Sequence, residues 1–228
     1  MSKTPAQIAL MAESGRLLAS VFGYLDRLNL LGMSTLQVND LVDNYIVNEL
    51  KARPASKGQY GFAYAMNTSR NEVVCHGVPS TDDILRDGDL VNFDITLEKN
   101  GYIADSSKTY LIGEVSDQAR QLARVTYEAM CKGIEAVKPG ARLGDIGHAI
   151  ERHARAHGYT VVRDYCGHGI GQEMHEPPEV LHWGKPGTGL TLREGMTFTI
   201  EPMLNQGKAD VRTLRDGWTV VTLSLIHI

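Results

Sequence analysis

Two aspartates, one histidine and one glutamate carry the first chemical signal in this 228-residue sequence. Asp94 lies in the strand-like run Leu90 to Leu97, and Asp105 lies in the run Tyr102 to Ile112. Lys99-Asn100-Gly101 joins the two runs, and Asn-Gly favours a type I′ hairpin turn because both central residues must take positive φ. With Asn100-Gly101 as the loop, Lys99 pairs with Tyr102, Asp94 with Ser107 and Asp105 with Thr96. Strand alternation puts Asp94 and Thr96 on one face, so the two aspartates become diagonal neighbours, roughly 7–8 Å apart at Cα. Leu90, Val91, Phe93 and Ile95 surround them, and two unpaired carboxylates are costly to bury among such residues. A cation between them resolves the conflict; the alternative is a solvated face.

His168 and Glu201 are the further ligand candidates. His168 sits in Cys166-Gly167-His168-Gly169-Ile170-Gly171, where the flanking glycines let the backbone approach something closely. That spacing fails the G-x-G-x-x-G template, which excludes a dinucleotide loop. Glu201 ends the strand-like run Met196 to Ile200, and Pro202 stops it. A carboxylate-rich set with one imidazole suits Mn²⁺, Fe²⁺, Co²⁺ or Zn²⁺ better than Ca²⁺ or Mg²⁺. His76 and His175 stand in turn-rich segments, where a histidine can shuttle a proton near neutral pH or lie free on a surface loop. His148, His153 and His157 fall on a helix or its end and read as solvated.

Positioning these residues requires two kinds of element. Thr4-Pro5-Ala6-Gln7 combines an N-cap, a proline at the first helical position and a capping-box glutamine, and a helical stripe runs from Ile8 to Leu25. Ser34-Thr35-Leu36-Gln37 opens a second helix with Leu41, Val42, Tyr45 and Ile46 on one face. Arg53 to Arg70 reads as loop. After the hairpin, Ser116 opens a third helix to about Val137 and a fourth covers Leu143 to His157, followed by short strands and turns. Helix–helix–strands thus occurs twice, which predicts a pseudo-twofold α+β fold with helices on one face of a largely antiparallel sheet and the site between the halves.

Composition narrows the classes. Apolar residues make up 43% and charged residues 22%, enough for a core without disulfides. Lys plus Arg is 23 against 27 for Asp plus Glu, so no basic surface argues for a nucleic-acid substrate. No stretch approaches the roughly 18 apolar residues of a membrane span, and the N-terminal segment is no secretory signal. Three widely spaced cysteines, Cys75, Cys131 and Cys166, point to reduced thiols and a cytoplasmic protein.

Asn71-Glu72-Val73-Val74-Cys75-His76-Gly77, Val91-Asn92-Phe93-Asp94, Asp105-Ser106-Ser107-Lys108, Cys166-Gly167-His168-Gly169-Ile170-Gly171, His175-Glu176-Pro177-Pro178 and Phe198-Thr199-Ile200-Glu201-Pro202-Met203 closely resemble the motifs of bacterial type I methionine aminopeptidases. The resemblance runs from about Thr4 to Val220 and implies the α+β pita-bread fold. It implies metal-dependent removal of the initiator methionine from nascent polypeptide N-termini when the second residue is small. It also implies two divalent ions (Co, Mn, Fe, Zn or Ni), a monomer, and a transient association with the ribosome. Asp94 would chelate one ion, Asp105 bridge both, and His168 and Glu201 hold the other. Glu201 would relay a proton from the activated water, His175 contact the scissile carbonyl, and His76 bind near the scissile nitrogen. Trp218 and Met174 would line the methionine pocket, and the backbone of Asn71 and Val73 would hold a monovalent cation.

Three departures qualify the resemblance. Met174 stands where relatives often carry an aromatic residue, and the loop from Gly58 to Thr68 lacks cysteines common among them. Residues 223–228 match nothing in the family, so 1–222 reads as one catalytic domain with an aberrant tail. The last bridging glutamate has no counterpart, and His227 is no replacement, which predicts one weakened metal site. The alternatives are therefore a weakly active or peptide-binding pita-bread protein, or a specialised paralogue with an altered pocket. A proline-directed peptidase of the same fold is the further alternative, against which the short N-terminal part argues.

Overall fold

The computed structural model describes residues 2–224; His227 and the other tail residues beyond Ser224 lie outside the described residues. Two helices, α1 (Pro5–Leu25) and α2 (Thr35–Asn44), come first. Short strands β1 (Arg53–Pro54), β2 (Met66–Arg70) and β3 (Val73–Cys75) then precede the long hairpin of β4 (Leu90–Lys99) and β5 (Tyr102–Leu111). The second half repeats the order with α3 (Asp117–Glu135) and α4 (Leu143–Ala156). It continues through β6 (Tyr159–Val161), β7 (Gly167–Gly169), β8 (Glu176–Val180), β9 (Leu204–Gln206), β10 (Val211–Thr213) and β11 (Val220–Thr222). The strand pairs β1–β4, β2–β4, β4–β5, β6–β9, β7–β8, β10–β11 and β11–β3 are all antiparallel.

Local chemistry explains the helix starts. Thr4 and Ser34 each accept a hydrogen bond from the third helical N–H, while Gln7 and Gln37 reach back to the cap N–H, satisfying donors that a helix leaves orphaned. The last turn of α2 widens into a π-helical turn over Tyr45–Glu49. Among the described residues α1 is long and apolar enough to cross a membrane by length and composition. This corrects the expectation that no stretch approaches a membrane span; Glu13 and Arg16 interrupt the apolar run within the helix. Ser14, Leu18, Val21 and Leu25 form its buried stripe, which packs on β4 and β5.

Each half has its own core. Leu18, Val21, Leu25, Val38, Val42 and Ile46 pack on Val91, Phe93, Ile95 and Leu97 in the first. Val125, Ala129, Ile146, Ile150 and Ala154 pack with Val161, Val180 and Leu204 in the second. The hairpin register is the expected one, with Lys99 opposite Tyr102, Asp94 opposite Ser107 and Thr96 opposite Asp105.

Two expectations need correction. Residues 53–70 are not all loop, because β2 pairs with β4 from Met66 opposite Ile95 to Arg70 opposite Val91. Met196 to Ile200 is not a regular strand: Phe198 makes one antiparallel bridge to Gly169. Backbone and side-chain bonds extend that contact, from the Thr199 N–H to the His168 carbonyl (2.8 Å) and from the His168 N–H to Thr199 Oγ1 (2.9 Å).

Candidate metal centre

The hairpin delivers Asp94 and Asp105 to the same face, as its register requires. Their partners come from the second half: β7 presents His168, and the extended segment bridged to it presents Glu201. His168 Nε2 lies 3.5 Å from Asp105 Oδ2 and 3.5 Å from Glu201 Oε1. Donor atoms of Asp105, His168 and Glu201 all fall within 4.8 Å of one another. Asp94, half-buried, stands beside Asp105 on the hairpin face. The four residues open into a cleft of about 1610 Å³ between the halves.

Why the backbone comes so close is visible at the two glycines flanking His168. A Cβ at Gly167 would run into the Thr199 carbonyl, and one at Gly169 into the Pro177 carbonyl. What the glycines crowd is the protein's own backbone. Replacing Gly169 by alanine is expected to cost about 3 kcal/mol, at the upper end of ordinary overpacking because the obstacle is backbone. Denaturant unfolding checks this; a loss below about 0.5 kcal/mol would contradict the close approach.

The electrostatics are those of a site short of positive charge. Burial, then repulsion from Asp105 and Glu201, raises Asp94 well above the usual carboxylate range. Burial and the Asp105 charge push Glu201 up to about 7, against the pull of Thr199 and His168. Burial alone would lower His168, but Asp105, the Gly169 carbonyl and Glu201 outweigh it, and the net shift is upward. Three clustered carboxylates beside one imidazole fit a divalent cation, which would neutralise what the protein leaves unbalanced.

A stability consequence follows. Between the ordinary 4.5 and about 7, folded Glu201 holds a proton that the unfolded chain releases. Raised carboxyl values therefore give stability that is full below about pH 4.5 and lost as pH rises through about 7. The Tm of metal-free protein is expected to fall from pH 5 to 7.5 and to recover on adding Mn²⁺. A flat profile would contradict the clustering.

Around the four stand the other candidates. The His175 ring lies 4.4 Å from that of His168, and its Nδ1 is 3.3 Å from the Tyr60 hydroxyl. Burial lowers both His76 and His175, so each is neutral at pH 7, with His168 and His76 adding to the effect at His175. His76 has a φ of 54° and packs edge-on against Tyr165 at 5.3 Å. Trp218 meets Phe62 edge-on at 5.0 Å. Met174 is buried with Ala55, Ile103 and Ile170, and it borders the same cleft. Asn71 and Val73 lie beside the β2–β3 turn, where the Asn71 side chain donates to Asp89 (2.8 Å) and accepts from the Leu90 N–H (3.1 Å).

Sequence reasoning missed three supporting residues. Thr199 Oγ1 donates to Glu201 Oε1 at 2.5 Å; strand alternation from Glu201 was the available signal. Tyr60 stands on an exposed loop with φ 49°, which carries no local signature. His182 is fully buried, and its Nε2 accepts from the Glu201 backbone N–H at 3.1 Å. Burial holds it neutral, down to about 4, and a lone histidine after Val180-Leu181 announces none of this.

The profile of Metallopeptidase family M24 matches residues 9–223. The chain is 44% identical to a methionine aminopeptidase of Escherichia coli strain K12 over 220 residues, covering 96% of this chain and 83% of that protein. The crystal structure of methionine aminopeptidase from Rickettsia prowazekii superposes with a TM-score of 0.95 at 45% identity, covering 98% of this chain and 90% of that one. Prolidase from Pyrococcus furiosus shares the fold with a TM-score of 0.73 at 24% identity. A carboxylate-rich centre between two like halves, a family profile over nearly the whole length and this close structural match agree with one another: the chain belongs to metallopeptidase family M24 and has its pita-bread fold.

Proposed function

We infer that the protein is a methionine aminopeptidase, a metal-dependent hydrolase that removes the initiator methionine from protein N-termini. The observation that carries this reading is the carboxylate cluster closed by His168, in a chain so similar to enzymes of that name. The peptide-binding alternative is not favoured, since Asp94, Asp105, His168 and Glu201 are all present and grouped.

In this proposal Asp94, Asp105, His168 and Glu201 hold divalent metal, with Mn, Fe, Co, Zn and Ni all compatible with the donor set. Bound metal supplies a more acidic water and a polarised carbonyl. The residues do the rest. The Glu201 carboxylate takes a proton from the attacking water and passes it to the departing amine, with Thr199 and the His182-anchored backbone fixing its orientation. Neutral His175 donates to the scissile oxygen as charge builds there. Donation from the Tyr60 hydroxyl to Nδ1 keeps the His175 proton on Nε2, the nitrogen left for substrate. His76 binds near the scissile nitrogen, and Trp218 and Met174 line the methionine side-chain pocket, the latter as a soft wall for a thioether. The carbonyls of Asn71 and Val73 are proposed for a monovalent cation. A ribosome encounter and a cytoplasmic location, which suit a nascent-chain substrate, and a monomeric state complete the proposal.

Peptides Met-X-Ser test the specificity. Release is expected for Gly, Ala or Ser at X, and at least tenfold slower release for Leu or Arg. Equal rates across the series would overturn the restriction to small second residues.

A further inference from the structure

Glu128 on α3 and His153 and His157 on α4 and its C-cap form a second cluster, and none of the three lines the cleft. Four residues apart, the two histidines share a helix face, and their ring centroids are 4.4 Å apart. His153 Nε2 is 3.0 Å from Glu128 Oε2. One donor atom from each of the three lies within 4.8 Å of the others.

The other polar atoms of these groups have partners of their own, and a metal would replace the proton shared by His153 Nε2 and Glu128 Oε2. His157 Nδ1 donates to the His153 carbonyl at 2.9 Å, so its Nε2 keeps a lone pair, the arrangement by which metal-binding histidines have their tautomer fixed. Arg124 donates to Glu128 Oε1 at 2.6 Å and leaves Oε2 to the histidines. Side-chain exposure of 18% for His153 and 34% for Glu128 leaves the cluster open to solvent on one side, where water completes a coordination shell. Three donors about 2.1 Å from a tetrahedral ion stand about 3.4 Å apart, so donors within 4.8 Å of one another need to close by no more than about 1.4 Å. The exposed His157 ring can supply that by rotation.

We propose that Glu128, His153 and His157 form a second divalent-metal site, suited to Zn²⁺, that clips the end of α4 to α3. Two imidazoles and one carboxylate make a donor set of the kind Zn²⁺ takes. The site is independent of the catalytic reading, since it shares no residue with the cleft.

Calorimetric titration of tag-free protein with Zn²⁺ tests this, comparing the unaltered protein with His157→Gln and with His148→Gln, a helix histidine outside the cluster. The unaltered protein and His148→Gln are expected to bind one Zn²⁺ more than His157→Gln. Glu128→Gln should weaken that extra site at least tenfold. Methionine release supported by Mn²⁺ should be the same in all of them. Equal Zn²⁺ stoichiometry in the unaltered protein and His157→Gln would overturn the proposal and leave the cluster a plain Glu128–His153 ion pair. So would an equal loss in His148→Gln.

Discussion

Replacing Asp105 by asparagine is expected to lower kcat/KM on a Met-Ala peptide by about 10³-fold or more, equivalent to about 4 kcal/mol of transition-state stabilisation. The substitution keeps size and shape and removes one charge. Asp105 faces His168 at 3.5 Å and stands among the causes that raise both Asp94 and Glu201, so it is the shared electrostatic neighbour of the whole cluster. An amide there cannot compensate a divalent ion as a carboxylate does. The same change removes like-charge repulsion, so the metal-free variant should melt higher than the unaltered protein at pH 7.5. Activity and metal-free stability therefore move in opposite directions, which distinguishes a site residue from one that merely holds the fold. Calorimetry and methionine release measure both; activity above a tenth of the original would remove Asp105 from the centre.

His175→Ala is expected to cost about 10²–10³-fold in kcat, the usual loss when one donor to a developing oxyanion is removed. The physical basis is position and protonation. The ring stands 4.4 Å from that of His168, is held neutral by burial, and has Tyr60 against its Nδ1. Because His175 is no ligand in this account, Mn²⁺ affinity should stay within about threefold of the original. Parallel loss of metal affinity and turnover would instead make His175 part of the metal shell.

The pairing of Asp94 and Asp105 was legible because an Asn-Gly turn sets the register of everything in its hairpin, and a one-residue slip would have separated them. The two capping boxes were equally local and equally readable. Strand β2 was not, since Met66-Asn67-Thr68-Ser69-Arg70 has no apolar alternation. It becomes a strand because β4 lies beside it, and it buries Thr68 and Ser69 in doing so. The run Met196 to Ile200 misled in the opposite sense: apolar enough for a strand, it makes one bridge and uses Thr199 to brace His168 and Glu201. His182 shows the same limit, because a buried histidine is recognisable only from what surrounds it. His153, read as a solvated helix residue, is half-buried against Glu128 for the same non-local reason.

Titrating metal-stripped protein with Mn²⁺, while following methionine release from Met-Ala-Ser beside an X-Pro control peptide, tests the central claim most directly. The account predicts no release without metal, saturable release from Met-Ala-Ser as Mn²⁺ is added, and no cleavage of the X-Pro peptide. Mn²⁺-dependent cleavage of the X-Pro peptide alone, or methionine release that is indifferent to metal, would contradict it.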